Sequence, residues 1–396
     1  MIMWLIIVLS VATFLTLYLG LRLINPAPLA RKWKVASWLL VITLLFAQRL
    51  SWYLWRGDRT DTLLQVFDWA GFTFLGLVSF IVVLMLLRDV PILFQGIMST
   101  LTKLFVRRSK RPYFIKPNRE RRRFMLNATN GVIMTAALPL SGYAVYGARR
   151  KPEVVHNDLP VIDLPEGLEG FTIAQITDTH VGPTIRGAWV QQVVDEINSL
   201  SPDLIVHTGD MVDGSVASLN GAVRPFGDLS APHGVFMCTG NHEYYSGVHE
   251  WIGEANRLGM RPLLNENTLI DTGNGRLLLA GVTDYRADRL VPEHASSPKQ
   301  AMANAPDHDV SILLAHQPKS IYAASNVGFD IQLSGHTHGG QFAPWTWAID
   351  LFQPYVKGLH LHEKTLIYVS VGTGYWGPPM RLGTKPEITL HTLRKA

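Results

Sequence analysis

Residues 171–213 read FTIAQITDTHVGPTIRGAWVQQVVDEINSLSPDLIVHTGDMVD. Phe171–Thr177 and Asp203–Thr208 are short runs rich in Ile, Val and Leu, bounded by Gly, Asp or Pro, and each predicts a buried strand. Between them, Ala188–Leu200 places Val190, Val193, Val194 and Ile197 on one helical face. Strand–helix–strand alternation predicts a layered α/β domain whose strands are covered on both sides. In such domains the chemistry sits on loops just past the carboxyl ends of strands. Asp178 and His180 follow the first run, and Asp210 and Asp213 follow the second.

The same rhythm continues downstream, with strands predicted over Gly234–Thr239, Arg276–Thr283, Val310–Ala315, Phe329–Ser334, Thr365–Val371 and Pro386–Leu393. Gly240-Asn241-His242-Glu243 follows one of them, His316 another, and Gly335-His336-Thr337-His338-Gly339-Gly340 a third. Side chains at alternate positions on a chain leaving a strand project to one side, so Asp178/His180 and His336/His338 are two-pronged ligands. Asp210 offers a carboxylate able to bridge two cations, Asn241 an amide oxygen and His316 another imidazole. The set suffices for two divalent metals sharing one carboxylate. Cys238 is the single cysteine, which excludes an intrachain disulfide and a thiolate-built zinc or iron–sulfur site. Its apolar surroundings mark it as a small core residue. Imidazole plus carboxylate suits Mn2+, Fe2+/Fe3+ or Zn2+. Two metals about 3.5–4 Å apart form a clamp for displacement at phosphorus, activating a water and neutralising developing charge. His242 is placed to give the leaving oxygen its proton or to stabilise charge there. The glycines beside the ligands allow tight turns and close approach of backbone to a phosphate.

Taken together, these five segments resemble the calcineurin-like metallophosphoesterase family, whose pattern is Asp-x-His, Gly-Asp-x-x-Asp, Gly-Asn-His-Asp/Glu, His and Gly-His-x-His. The resemblance covers roughly residues 168–396. It implies a four-layer α/β/β/α sandwich. It also implies one metal on Asp178, His180, Asp210 and His338, and a second on Asp210, Asn241, His316 and His336. By the same resemblance His242 is the general acid or transition-state stabiliser, and Asp213 orients a ligand or His242.

The N-terminal part is a different physical object. Residues 1–151 carry 21 Lys+Arg against 5 Asp+Glu, whereas the remainder is net acidic and holds all 14 histidines. Apolar runs within the basic part point to anionic lipid rather than nucleic acid. Runs at 1–21, 35–55 and 69–87 are of membrane-spanning length, the second interrupted only by Arg49 and closed by Trp52, Tyr53 and Trp55. The less apolar 124–148 is a fourth candidate span or a juxtamembrane helix, and 91–105 reads as a separate amphipathic surface helix. A membrane region over 1–151 followed by a catalytic domain over 152–396 is therefore expected. The 11 Lys+Arg of Arg88–Arg123 place that segment in the cytoplasm, while the mixed 56–68 loop can lie outside. If 124–148 crosses, the catalytic domain emerges on the external side of a bacterial-type inner or plasma membrane. Arg121-Arg122-Arg123-Phe124-Met125 resembles a twin-arginine export signal, whereas Arg149, Arg150 and Lys151 oppose export.

Such an architecture is similar to bacterial membrane-associated phosphoesterases and to the UDP-diacylglucosamine pyrophosphohydrolases of lipid A synthesis. It favours a lipid-linked phosphoester substrate and membrane lipid as partner. The aromatic-rich segment 342–355, which contains Trp345, reads either as ordinary core or as a lipid-facing flap. Trp376 and Arg381 are candidates for a hydrophobic wall and a phosphate contact. Competing readings are a tethered phosphodiesterase or phosphatase acting on soluble nucleotides, and a non-catalytic receptor or scaffold. A transporter is disfavoured by few spans, no repeat and no paired intramembrane charges.

Overall fold

The computed structural model describes residues 2–54, 62–105 and 119–396. They cluster into two compact units, one built from residues up to Arg56 and Val66–Tyr143, the other mainly from Ala144–Ala396. The basic stretch 106–118, residues 56–61 of the mixed loop, Trp55, and the side chains of Arg49, Trp52 and Tyr53 lie outside the described residues.

The first unit is helical. It contains α1 (Ile2–Leu19), extended by a π-helical turn at Gly20–Ile24, then α2 (Arg31–Leu54), α3 (Thr62–Phe105) and the start of α4 (Arg119–Arg149). The sequence predicts a break after residue 87, but α3 runs on through Pro91 as a single helix. The charges that mark a span end are neutralised inside the unit instead. Asp89 accepts from Arg22 at 2.6 Å and from Arg88 at 2.7 Å, and Arg88 also donates to Asn130. No capping glycine or asparagine separates Leu87 from Pro91, so the helix has no stop signal there. Among the described residues, two helical segments are long and apolar enough to cross a membrane: Leu64–Thr102 and Arg119–Arg149.

The second unit holds two six-stranded sheets. In chain order its strands are β1 (Glu153–Val161), β2 (Thr172–Ile176), β3 (Leu204–His207), β4 (Val235–Met237), β5 (Met260–Pro262), β6 (Glu266–Asp271), β7 (Arg276–Gly281), β8 (Val310–Leu314), β9 (Ile331–Ser334), β10 (Gly358–His362), β11 (Thr365–Val369) and β12 (Glu387–Lys395). One sheet runs β1-β12-β2-β3-β4-β5 and the other β10-β11-β9-β8-β7-β6. All neighbours pair parallel except β12 with β2, β10 with β11 and β6 with β7.

Alternation of side chains gives each sheet two apolar faces. Ile173, Leu204, Val206 and Phe236 of the first meet Leu277, Leu279, Ile312 and Leu333 of the second in one buried cluster, which also takes Cys238. The opposite face of the first sheet, with Ala174, Ile176 and Ile205, packs on helix α5 (Gly187–Ser199) through Val190, Val193, Val194 and Ile197. Ala280 and Leu313 turn outward onto a further helical layer that includes Ala301 and Ala324. The result is a mixed α/β fold of four layers, helix–sheet–sheet–helix. β2, β3 and β4 are neighbours in one sheet, as are β8 and β9 in the other, so the loops after their carboxyl ends meet at one edge of the sandwich.

Candidate metal centre

The sequence motifs converge at that edge. His338 Nε2 stands 3.3 Å from Asp178 Oδ1 and 3.1 Å from His180 Nε2. His180 Nε2 is 3.8 Å from both Asp178 Oδ1 and Asp210 Oδ2. On the far side of Asp210, His316 Nε2 lies 3.1 Å from Oδ2 and 3.2 Å from His336 Nδ1. Asp178–His180–His338 and Asp210–His316–His336 thus form two potential cation sites with Asp210 facing both, and His180, Asp210 and His242 make a third, overlapping group of convergent donors.

Hydrogen bonds fix which ring nitrogen points inward. His316 donates from Nδ1 to Thr208 O at 2.8 Å, and His180 from Nδ1 to Asp213 Oδ1 at 3.2 Å, leaving both Nε2 atoms for the centre. Asp178 Oδ2 accepts from Thr177 Oγ1 and from His336 N, at 2.7 and 2.9 Å. By contrast, Asp178 Oδ1 and Asn241 Oδ1 are buried and have no hydrogen-bond partner. Buried oxygens without partners, beside convergent imidazole nitrogens, fit a site built for cations.

The backbone carries the same message. Asp178, His180, Asp210, His336 and His338 all have φ between 44° and 73°, in the left-handed region. Residues held there cost on the order of 1 kcal/mol or more each, and such strain clusters at functional sites. Gly240 and Gly335 also make room within the protein itself. A Cβ on Gly240 would overlap Asp210 Oδ1, and one on Gly335 would overlap Asp178 Oδ2. They let one ligand loop press against the carboxylate of another.

Charge is tightly balanced. Burial works against ionising Asp178, Asp210 and Asp213, but the surrounding imidazoles outweigh it and hold all three below the usual carboxylate range. Burial likewise disfavours a charged His316, yet the Asp210 carboxylate lifts it to about 10. His336 is pushed down to about 4 by burial and by the neighbouring His316.

His242 faces this cluster without belonging to either triad across Asp210. Its Nδ1 is bonded to Asp213 Oδ1, and its Nε2 lies 3.9 Å from Asp210 Oδ2. Burial opposes its charged form, but Asp210 and Asp213 raise its pKa, so it can hold a proton at Nε2. Asp213 therefore serves two rings, His180 and His242.

Two further residues, the last of the Gly-Asn-His-Glu motif and one just past it, complete the site. Glu243 is buried and accepts from the backbone N–H of Asp210, Met211 and Gly240 at 2.7–3.0 Å, clamping two ligand loops together. Burial moves its pKa up to about 7. Three residues after the N-cap Gly240, it supplies the carboxylate half of a capping box, accepting from the Gly240 N–H. Tyr245, 67 % exposed, sets its ring 5.3 Å from that of His242; the sequence offers no signal for it.

Trp376 is half-exposed, with its ring 5.8 Å from His242 and its backbone held at both ends by Gln341. Trp345 lies on a short helix packed on the ligand loop, where a Cβ on Gly340 would meet Trp345 O at 2.5 Å. Trp345, Trp347, Leu351 and Phe352 are 51, 73, 81 and 66 % exposed, so segment 342–355 turns much of its apolar surface outward. Arg381 departs from the expected phosphate contact. It is buried beneath His338, and its guanidinium is spent on the carbonyls of Gly372, Gly374 and His338.

A family model described as calcineurin-like phosphoesterase matches residues 171–340. A transmembrane protein with metallophosphoesterase domain from Bos taurus is 38 % identical over 287 residues, covering 69 % of this chain and 64 % of the relative. Its Danio rerio counterpart is 36 % identical over 273 residues, covering 67 % and 62 %. An uncharacterised metallophosphoesterase of Bacillus subtilis is 30 % identical over 291 residues, covering 69 % and 97 %. The chain spans a little under two thirds of the length of the two vertebrate relatives.

Proposed function

The chain belongs to the calcineurin-like metallophosphoesterase family, and from that premise we propose that it hydrolyses a phosphodiester or pyrophosphate bond of a lipid-linked substrate at a membrane surface. It is a metal-dependent phosphoesterase, and the family works with a dinuclear centre. When bound, the two divalent cations (Mn2+, Fe2+/Fe3+ or Zn2+) supply an activated water and neutralise charge at phosphorus. Asp178, His180, Asp210 and His338 would hold one, and Asp210, Asn241, His316 and His336 the other. His242 delivers the proton at Nε2 to the leaving oxygen, with Asp213 fixing its ring. Tyr245 and Trp376 flank His242, so they line the space the leaving group crosses.

The observation that carries the lipid reading is the apolar face of Trp345, Trp347, Leu351 and Phe352, on the segment packed against the His336/His338 loop. Exposed apolar surface of this kind beside a catalytic loop marks a membrane or lipid contact. Helices of spanning length in the same chain fit that setting. The N-terminal region would then anchor the chain by several spans, with the catalytic domain on the external side.

The test uses the purified full chain in detergent, loaded with Mn2+. Rates are compared on a soluble aryl phosphodiester and on a lipid phosphoester presented in mixed micelles. The lipid substrate is expected to turn over faster. Equal rates would instead leave a tethered phosphodiesterase of broad specificity.

A further inference from the structure

We propose that Arg381, seated by the last turn of α4, is the positioning residue for the Asp178–His338 half of the metal centre, so that the end of this helix decides whether that half holds its cation. The inference rests on Asp178 and His338 being ligands, and not on which phosphoester is cleaved.

A buried guanidinium is costly unless its donors are satisfied. The donors of Arg381 are spread over two loops. Nε and Nη2 donate to Gly374 O at 3.2 and 2.5 Å, and Nη2 also reaches Gly372 O at 3.1 Å. Nη1 reaches His338 O at 3.4 Å, and Nη2 lies 3.3 Å from His338 Nδ1.

The Gly372–Gly374 loop in turn backs Asp178. Thr373 N and Gly374 N donate to the carbonyls of Thr177 and Asp178 at 2.9 and 3.0 Å, and a Cβ on Gly372 would come within 3.0 Å of Asp178 Cβ. The fork of Arg381 therefore joins the supports of the two ligands whose side chains meet at 3.3 Å.

What seats Arg381 is α4. Arg381 N donates to Ala144 O at 2.8 Å. Gly147 lies so close that a Cβ there would stand 2.6 Å from Arg381 O, too near for any side chain without a shift. The other half of the centre is braced by different groups: Glu243 on the Asp210 amide and Thr208 O on His316. The halves still share Asp210 and the bond from His336 N to Asp178 Oδ2, so a disturbance at Gly147 should weaken the Asp178–His338 half first and the other half less.

The experiment introduces Gly147→Val into the full chain, with Gly142→Val as control, since a Cβ on Gly142 meets nothing within 4 Å. Each detergent-purified protein is loaded with Mn2+ and desalted. Its metal content and electron paramagnetic resonance spectrum are then recorded. Gly147→Val is expected to fall from about two Mn2+ to about one, to bind the second at least tenfold more weakly, and to lose the spin-coupled dinuclear signal. A loss of fold stability alone would leave that signal intact. Should Gly147→Val fail to purify, Arg381→Lys replaces it, because one ammonium cannot bridge both loops, and the same half-loss is expected. Two tightly held Mn2+ in the folded variant overturn the proposal. Loss of both together overturns it as well, since the halves would then share one support.

Discussion

At the scale of single residues, Asp213 and His242 can be separated by experiment. His242 meets the centre from outside the two triads that flank Asp210, and Asp210 and Asp213 raise its pKa against the effect of burial. His242→Gln should lower kcat about 10²–10⁴-fold while leaving metal content unchanged, read by steady-state kinetics beside metal analysis. Asp213 holds the rings of both His180 and His242. Asp213→Asn should weaken metal binding about 10–100-fold and lower kcat as well, checked by titrating activity with Mn2+. If Asp213→Asn binds Mn2+ normally, its contact with His180 has no part in holding a cation. The motif residues were legible at this scale because each follows an apolar strand, where Asp, His and Asn lack any packing rationale. Arg381 was misread for the opposite reason. An arginine in a loop rich in Gly and Pro looks solvated, and nothing local reveals that distant carbonyls enclose it. Tyr245 was illegible because its role is set only by the placement of His242.

At the scale of elements, the eight strands predicted from apolar runs are the eight interior strands. β1, β5, β6 and β10 were missed, and they are the four sheet edges. An edge strand is covered on fewer sides, so it can carry Glu153, His156 and Asn157 in β1 or His360 and His362 in β10 without burying a charge. The sequence divides α3 in two because Arg88 and Asp89 look like a water-facing end, whereas in the fold Arg22 pairs with Asp89 and Arg88 donates to Asn130. The edge β1 also reaches the core by a polar row. Asn157 Nδ2 contacts His391 Nδ1 on β12 at 3.0 Å, and His391 Nε2 contacts Gln175 Oε1 on β2 at 2.9 Å. Burial depresses the pKa of His391 to about 3. Its ordinary value is about 6.5, so the unfolded chain takes up a proton between those values and the folded chain does not. Stability from this residue is complete above about pH 6.5 and declines as pH falls toward 3. His391→Gln should flatten the dependence of thermal unfolding on pH between 6.5 and 4.5, at the expense of some stability at pH 7.5. An unchanged slope would mean that other groups set the acid sensitivity.

At the scale of the whole molecule, the opposed charge balance of residues 1–151 and 152–396 argues for two objects in different solvents, and the described residues cluster into two compact units. Sequence could not locate their division, because α4 runs through it from Arg119 to Arg149 without a break. The two units should respond differently to metal. In the second unit, three carboxylates and a ring of imidazoles are buried around one point. Cations bound there stabilise only the folded state, by about 4 kcal/mol at a thousandfold excess over Kd. For a unit of this size that is on the order of 10 °C in Tm. In the helical unit the half-buried carboxylate of Asp89 is already paired within the protein, with Arg22 and Arg88, and that pairing needs no cation. Calorimetry of the full chain in detergent should therefore show a transition that falls by about 10 °C on chelation and returns with Mn2+, beside helical unfolding that chelation leaves in place. If chelation moves both by the same amount, the two units melt as one. If it moves neither, the convergent aspartates and histidines do not hold a cation that contributes to folding.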